Sequence, residues 1–322
     1  MLKVGLVGIG GMGFVHFNAY KNMDDCKIVA VSDVRTDMAK EKAAVESINI
    51  YPSIDEMIAN EELDIIDICT PSYLHADISI KALESGANVI CEKPMTLNSA
   101  DAERVIEAAK KSDKKFMIAH VVRFMTPYAY LADEIKKGEL GELLRLDMKR
   151  ISSIPLWSWE NWMRDYSKSG GTPMDLTIHD IDYVQSILGQ PDEVRGRYYK
   201  MNDNNDYVLS ELVYGNTVVT AEGTWFNCDI PFDASYRAVF SNGWIALKDG
   251  KVYKNGEVVE LEQGETSEDT GINLSGADGY ATEIRYFVEC VKTNTQPSFV
   301  TPESSKASVE LIERIIKNSS VM

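Results

Sequence analysis

Three glycines spaced Gly8-x-Gly10-x-x-Gly13 stand directly after an apolar run, Lys3 to Val7, and directly before a stretch of helical periodicity, Met12 to Asn22. That spacing lets a strand turn tightly into a helix that packs back on it, where a side chain would stand in the way. The run Lys27 to Ser32 completes a βαβ unit, and the rhythm then repeats. Helical stretches at 36–47, 54–60, 73–85 and 99–112 alternate with short β-rich runs at 49–51, 65–70, 88–91 and 116–119. Alternation of this length predicts an α/β fold built on a doubly wound parallel sheet with helices on both faces.

Beyond about residue 122 the rhythm changes. A helix over 126–137 and the turn Gly138-Glu139-Leu140-Gly141 lead to a run of strands at 143–151, 193–200, 207–214, 217–225, 235–240 and 244–247. Tight turns such as Asn242-Gly243 and Asp249-Gly250 join the last of these, the mark of a mostly antiparallel sheet. Two helices, 279–293 and 302–317, close the chain, the second opened by Thr301-Pro302-Glu303 with a capping residue and a first-turn proline. The expected division is a dinucleotide-type domain over 1–121 and a second α/β domain over 122–322, with the helix at 302–317 packing back on the first. The polar, glycine-containing stretch from Gln263 to Asp278 reads as a mobile loop.

Composition narrows the partners. Fifty acidic against 33 basic residues give a net charge of −17, which on average repels nucleic acid and anionic membrane surfaces. Five widely spaced cysteines without a C-x-x-C pair point to neither a disulfide framework nor a structural zinc site, and so to a reducing cytoplasm. The apolar start runs straight into the glycine turn, without the length or cleavage region of a signal peptide. No run approaches the roughly 20 apolar residues of a membrane helix.

A glycine turn between strand and helix, with Asp33 closing the next strand 20 residues after Gly13, fits a dinucleotide. Gly8, Ile9, Gly10, Gly11, Met12 and Gly13 would cradle the pyrophosphate at the helix N-terminus. Asp33 would accept the ribose hydroxyls of NAD, or else merely cap the helix that follows; Val34 and Arg35 stand beside it, and a swung Arg35 would admit NADP. Thr70, Pro71 and Ser72 end the fourth strand, on the side of the sheet where ligands sit, though such a segment is also a common turn. His75 is either a ligand contact or a structural helix-start residue.

Glu92-Lys93-Pro94 ends the fifth parallel run. Lys93 could be a plain surface lysine; against that, it lies at a strand end before a proline, which restricts its backbone. A cis Lys93-Pro94 bond would aim its side chain into the crevice, where it could share a proton with a reacting hydroxyl. Glu92 would orient it or hold the cofactor. A second constellation is Asp175-x-x-x-His179, announced by Gly170-Gly171-Thr172-Pro173 as a helix start, with four-residue spacing that places carboxylate and imidazole on one face. Such a pair suits general acid/base work; a satisfied interior histidine is the alternative. A metal held by Asp175, His179 and Asp182 lacks a further ligand cluster, so none is expected. Between the two lies Trp157-Ser158-Trp159-Glu160-Asn161-Trp162-Met163-Arg164, either plain packing or a lid or wall against which a sugar stacks, with Asn161 or Arg164 bonding hydroxyls.

In order along the chain, Gly8 to Gly13, Thr70-Pro71 with His75, Glu92-Lys93-Pro94, His120-Val121-Val122-Arg123-Phe124, Gly138-Glu139-Leu140-Gly141, and Gly170-Gly171 through Asp175 and His179 resemble the glucose-fructose oxidoreductase/inositol dehydrogenase/rhizopine catabolism (Gfo/Idh/MocA) family. The resemblance spans nearly the whole chain. It implies a Rossmann domain followed by an α/β domain whose large open sheet pairs subunits into homodimers or homotetramers. It further implies hydride transfer between NAD, or NADP, and a secondary alcohol or ketone of a sugar or cyclitol. Lys93, Asp175 and His179 would be the catalytic set: His179 the acid/base, Lys93 polarising the oxygen, Asp175 aligning the imidazole or gripping substrate. Arg123, Trp157, Trp159, Asn161, Trp162 and Arg164 would face the polyol. A glycosidase that oxidises transiently, or a non-catalytic dinucleotide sensor, is the alternative within the same resemblance.

Overall fold

The computed structural model describes residues 1–43, 48–202, 204–261 and 278–321. They form two compact units, one of residues 1–120 and 280–306, the other of 121–261, 278–279 and 307–321. In the first, β1 (Leu2–Val7), β2 (Cys26–Ser32), β3 (Asn49–Tyr51), β4 (Ile65–Ile68), β5 (Asn88–Glu92) and β6 (Phe116–Ala119) make a six-stranded sheet in the order β3-β2-β1-β4-β5-β6. Every pair is parallel. The order reverses between β1 and β4, which creates the crevice at the strand ends where such folds take ligands. β4 and β6 are buried along their whole length, as strands covered on both faces must be.

Helices α1 (Gly11–Lys21), α2 (Thr36–Ala43), α3 (Ile54–Asn60), α4 (His75–Glu84) and α5 (Ser99–Ser112) connect these strands. The expected extension of the second helix over 44–47 lies outside the described residues. Side-chain oxygens start two of the helices: Ser53 accepts the Glu56 N–H at 3.2 Å, and Asn98 accepts the Asp101 N–H at 2.8 Å. Each such cap satisfies one of the N–H groups a helix start leaves without an intrahelical partner.

The second unit opens with α6 (Thr126–Lys137), a proline in its first turn and Gly138 in the left-handed region at its end. Strand β7 (Leu143–Ser153) follows, then α7 (Tyr166–Ser169), a single π turn (Pro173–Thr177) and α8 (Ile178–Leu188). Strands β8 (Glu193–Tyr199), β9 (Asn205–Tyr214), β10 (Thr217–Phe226), β11 (Asp233–Phe240), β12 (Gly243–Lys248), β13 (Lys251–Lys254) and β14 (Glu257–Val259) come next. After α9 (Asp278–Lys292) and α10 (Pro302–Asn318), β15 (Ser319–Val321) completes a nine-stranded sheet, β14-β13-β12-β11-β7-β10-β9-β8-β15. It is mostly antiparallel, with β7·β10 and β8·β15 parallel. Along β9 buried and half-buried residues alternate, the period of a sheet with one face on a core.

Strands β13, β14 and β15 were not anticipated from sequence; at three or four residues each they carry too few alternations to read. Of the stretch 263–278, expected as a mobile loop, 263–277 lie outside the described residues and Asp278 opens α9. The first turn of α10 is tied to α5 through ion pairs Lys110–Glu303 at 3.3 Å and Glu103–Lys306.

Candidate active site

At the head of α1 the glycines do different work. A Cβ on Gly13 would overlap the carbonyl oxygen of Gly8, so only glycine lets the helix sit on the strand end. A Cβ on Gly10 would meet nothing nearer than Arg35 Nη2 at 4.0 Å, which leaves open space above the turn. Gly8 is in the left-handed region at φ 87°. No side chain caps α1, so its first N–H groups are left to an anion, and the residues present fit a dinucleotide pyrophosphate. Asp33 is buried and holds the turn: Oδ2 accepts the Ile9 N–H at 3.0 Å and Oδ1 the Arg35 N–H at 2.8 Å. The Arg35 Nε lies 3.5 Å from the same carboxylate, while Val34 is exposed.

At the ends of β4 and β5, Ser72 is buried, and His75 joins the strand ends at Thr70 and Pro94. Its Nδ1 lies 2.7 Å from the Pro94 carbonyl oxygen and its Nε2 2.9 Å from that of Thr70. Burial holds this imidazole below its ordinary value, the two carbonyls offsetting part of the effect. The Lys93-Pro94 bond is cis. Lys93 is half-buried, and its N–H donates to Oε2 of Glu92 at 3.0 Å.

Glu92 in turn meets His16 of α1, whose Nε2 is 3.1 Å from Oε1, while His16 Nδ1 lies 2.9 Å from Asp67 Oδ2 on β4. Burial raises Glu92, but the hydrogen bond and charge of His16, then Lys93, hold it below the usual glutamate range. This interior cluster was not anticipated. Its signals were Asp67, a carboxylate amid Ile65, Ile66 and Ile68, and His16, three residues past Gly13.

In the second unit the expected start of the acid/base helix takes a different form. Gly170 and Gly171 are both left-handed, at φ 71° and 65°, and Thr172 then donates its N–H to Asp206 Oδ2 at 2.6 Å. The segment with Asp175 is a π turn rather than the first turn of an α-helix, and α8 with His179 continues from it. Four residues still approximate one turn in this wider geometry. The turn beds on β10 because a Cβ on Gly223 would overlap Thr177 Oγ1. Beside His179, Asp180 accepts from Arg150 Nε at 2.9 Å, yet burial outweighs that cation and raises its carboxyl.

Arg123 is buried and bidentate on Asp182, Nε to Oδ2 at 2.8 Å and Nη2 to Oδ1 at 2.7 Å, with Ser308 Oγ donating to the same carboxylate at 2.8 Å. Its guanidinium is thus engaged within the fold. The tryptophan segment divides. Trp162 packs with Leu176 and Met201 against a cluster of Ile154, Met163 and Trp225. Trp157 and Trp159 are exposed at 68% and 42%, with Asn161 and Arg164 exposed beside them. Glu160 and Asn161 both adopt left-handed backbone at φ 51° and 53°, a cost of order 1–3 kcal/mol each for residues other than glycine.

Comparison with known proteins places this architecture. Residues 2–120 match the oxidoreductase family Gfo/Idh/MocA, NAD-binding Rossmann fold, and residues 132–321 match its C-terminal α/β domain. The chain is similar to myo-inositol 2-dehydrogenase of Thermotoga maritima, 32% identical over 195 residues, which is 59% of this chain and 55% of that protein. It is also similar to inositol 2-dehydrogenase of an Arthrobacter species, 28% identical over 76% of this chain and 73% of that one. Over its aligned segments the chain spans 50–60% of the length of the first curated relatives it matches. A solved myo-inositol 2-dehydrogenase from Lactobacillus plantarum superposes with a TM-score of 0.82 at 20% identity, covering 99% of this chain and 97% of the other, which shows the shared fold. The glycine turn on an open-sided helix start, the 3-2-1-4-5-6 sheet and the matched second domain together make this chain a member of the Gfo/Idh/MocA oxidoreductase family, with an NAD-binding Rossmann domain.

Proposed function

We propose that this protein transfers two electrons between NAD and a secondary alcohol or ketone of a sugar or cyclitol, inositol-like in shape and charge. One observation carries the reading: Glu92-Lys93-Pro94 stands at the carboxyl end of β5, the ligand side of a doubly wound sheet, and is fastened there through His16 and His75. A lysine so held is built for a fixed direction. The similarity to inositol dehydrogenases supports the substrate class.

The dinucleotide, when bound, supplies the redox chemistry. Gly8 to Gly13 bind its pyrophosphate, and Asp33, which repels a 2′-phosphate, favours NAD over NADP; Thr70, Pro71 and Ser72 line the strand end. Lys93 donates to the reacting oxygen and polarises it. His179 accepts the hydroxyl proton in oxidation and returns it in reduction, and Asp175 aligns the imidazole or grips the substrate. Trp157 and Trp159 offer faces suited to the C–H surface of a polyol, with Asn161 and Arg164 as hydroxyl partners. Sheet pairing of subunits into a homodimer or homotetramer, a 1–121/122–322 division of labour and a cytoplasmic site of action belong to the same reading.

The test follows nicotinamide absorbance with purified protein, NAD or NADP, and a panel of inositols, aldoses and their keto derivatives. Turnover of a member supports the reading and names its substrate. Tight dinucleotide binding with silence across the panel in both directions refutes it.

A further inference from the structure

His16 lies wholly inside the first unit, three residues beyond the glycine turn on α1, and both of its ring nitrogens face carboxylates. Nδ1 is 2.9 and 3.1 Å from the two oxygens of Asp67 on β4; Nε2 is 3.1 Å from Oε1 of Glu92 on β5. Ionised carboxylates only accept, a neutral imidazole carries one N–H, and here, unlike at His75, both acceptors are anionic, which favours an imidazolium. The remaining oxygen of Glu92 accepts the main-chain N–H of Lys93. A continuous chain therefore runs from Asp67 through His16 and Glu92 to the backbone of Lys93.

Glu283 of α9 also faces this chain. It is fully buried, and neither of its oxygens has a hydrogen-bond partner among the described residues. Glu92, Asp67 and His16 are the charged groups it faces. Cys69, the residue after β4, with Sγ 3.4 Å from Asp67, Tyr20 of α1 and the ring of Tyr280, 6.3 Å from that of His16, complete the surroundings. Two carboxylates already balance one imidazolium to a net −1, so a third charge here is the costliest to bury.

We propose that His16 is a positioning residue for Lys93: an imidazolium clamped between Asp67 and Glu92 that fixes the backbone from which the lysine projects, with Glu283 as the neutral acid of the same cluster. Burial alone would discharge His16; Asp67 above all reverses this and holds it well above the ordinary imidazole value. Burial, then Glu92 and Asp67, raise Glu283 well above the glutamate range. Donor atoms of His16, Asp67 and Cys69 all lie within 4.8 Å of one another, so a metal is the competing occupant, and it would require a deprotonated Nδ1.

The inference rests on the proposed role of Lys93, and its first readout does not depend on turnover. With only four histidines in the chain, ¹⁵N-histidine spectra of the dinucleotide-free protein, assigned with His16→Gln, read each ring directly. Both His16 nitrogens should stay protonated well above the pH at which an ordinary imidazole loses its proton, and Glu92→Gln, which removes one anion, should lower the pH at which the ring titrates. Amide exchange at 92–93 should quicken about 10-fold or more in His16→Gln relative to 65–68. In kinetics, His16→Gln should lower kcat about 10-fold or more with dinucleotide affinity retained, yet have almost no effect in a Lys93→Ala background, because it acts through that lysine. A neutral His16 ring at pH 7, a stoichiometric metal on Nδ1, or equal losses in both backgrounds would overturn the proposal. An imidazolium with quickened exchange but no wild-type turnover supports the clamp and sinks the dehydrogenase reading instead.

Discussion

Replacing Glu283 by glutamine should make the protein progressively more stable than the parent as pH rises. The folded carboxyl titrates well above the ordinary glutamate value because burial disfavours its charge and Glu92 and Asp67 add repulsion. In the unfolded chain it ionises near pH 4.3. Between those two values the folded state holds one proton more than the unfolded state, so stability falls as pH climbs, by about 1.4 kcal/mol per pH unit for this one group. Glutamine has no such term. Its amide is left with unmatched donors, an offset that does not change with pH and that cancels when only the slope is compared. Urea titrations of parent and Glu283→Gln from pH 5 upward give the difference directly. Far-UV circular dichroism is the proper probe, since all five tryptophans belong to the second unit and would miss the first. Parallel stability profiles would show that Glu283 is ionised in the fold and would refute the account of the cluster.

Lys93→Ala should cost about 100-fold or more in kcat while dinucleotide affinity, by fluorescence titration, changes little; near-normal turnover would remove Lys93 from the chemistry. Asp33→Ala should weaken NAD more than NADP by about 10-fold, the scale of a hydrogen bond to a charged group, and equal losses would refute the cofactor assignment. Asp182→Asn, which strips Arg123 of its buried anion, should destabilise the second unit by about 3–5 kcal/mol in tryptophan-monitored melts. Trp162→Ala should cost about 2 kcal/mol through lost packing, whereas Trp157→Ala should leave stability within about 0.5 kcal/mol and raise the substrate KM.

Long periodic segments were legible in the chain because their information is local. Gly8 to Gly13 declares a strand-to-helix turn through sterics alone, and each of the first six strands is bracketed by turn residues and helices that repeat the message. The short strands β13 to β15 exist because a neighbouring edge supplies their hydrogen bonds, which no three-residue window can reveal.

The same division holds for the candidate site. Sequence by itself determined the dinucleotide turn, the Glu92-Lys93-Pro94 strand end and the Asp175/His179 segment as candidates, since each is a contiguous pattern readable from its own residues. Only the tertiary structure decided that Arg123 is spent on Asp182, that Trp162 is half-buried against a core cluster while Trp157 is surface, and that His16 joins residues 51 and 76 positions away. The physical reason is that burial and pairing set whether a polar side chain is charged, neutral or occupied. Those are properties of the packed neighbours, which the order of residues along the chain does not state.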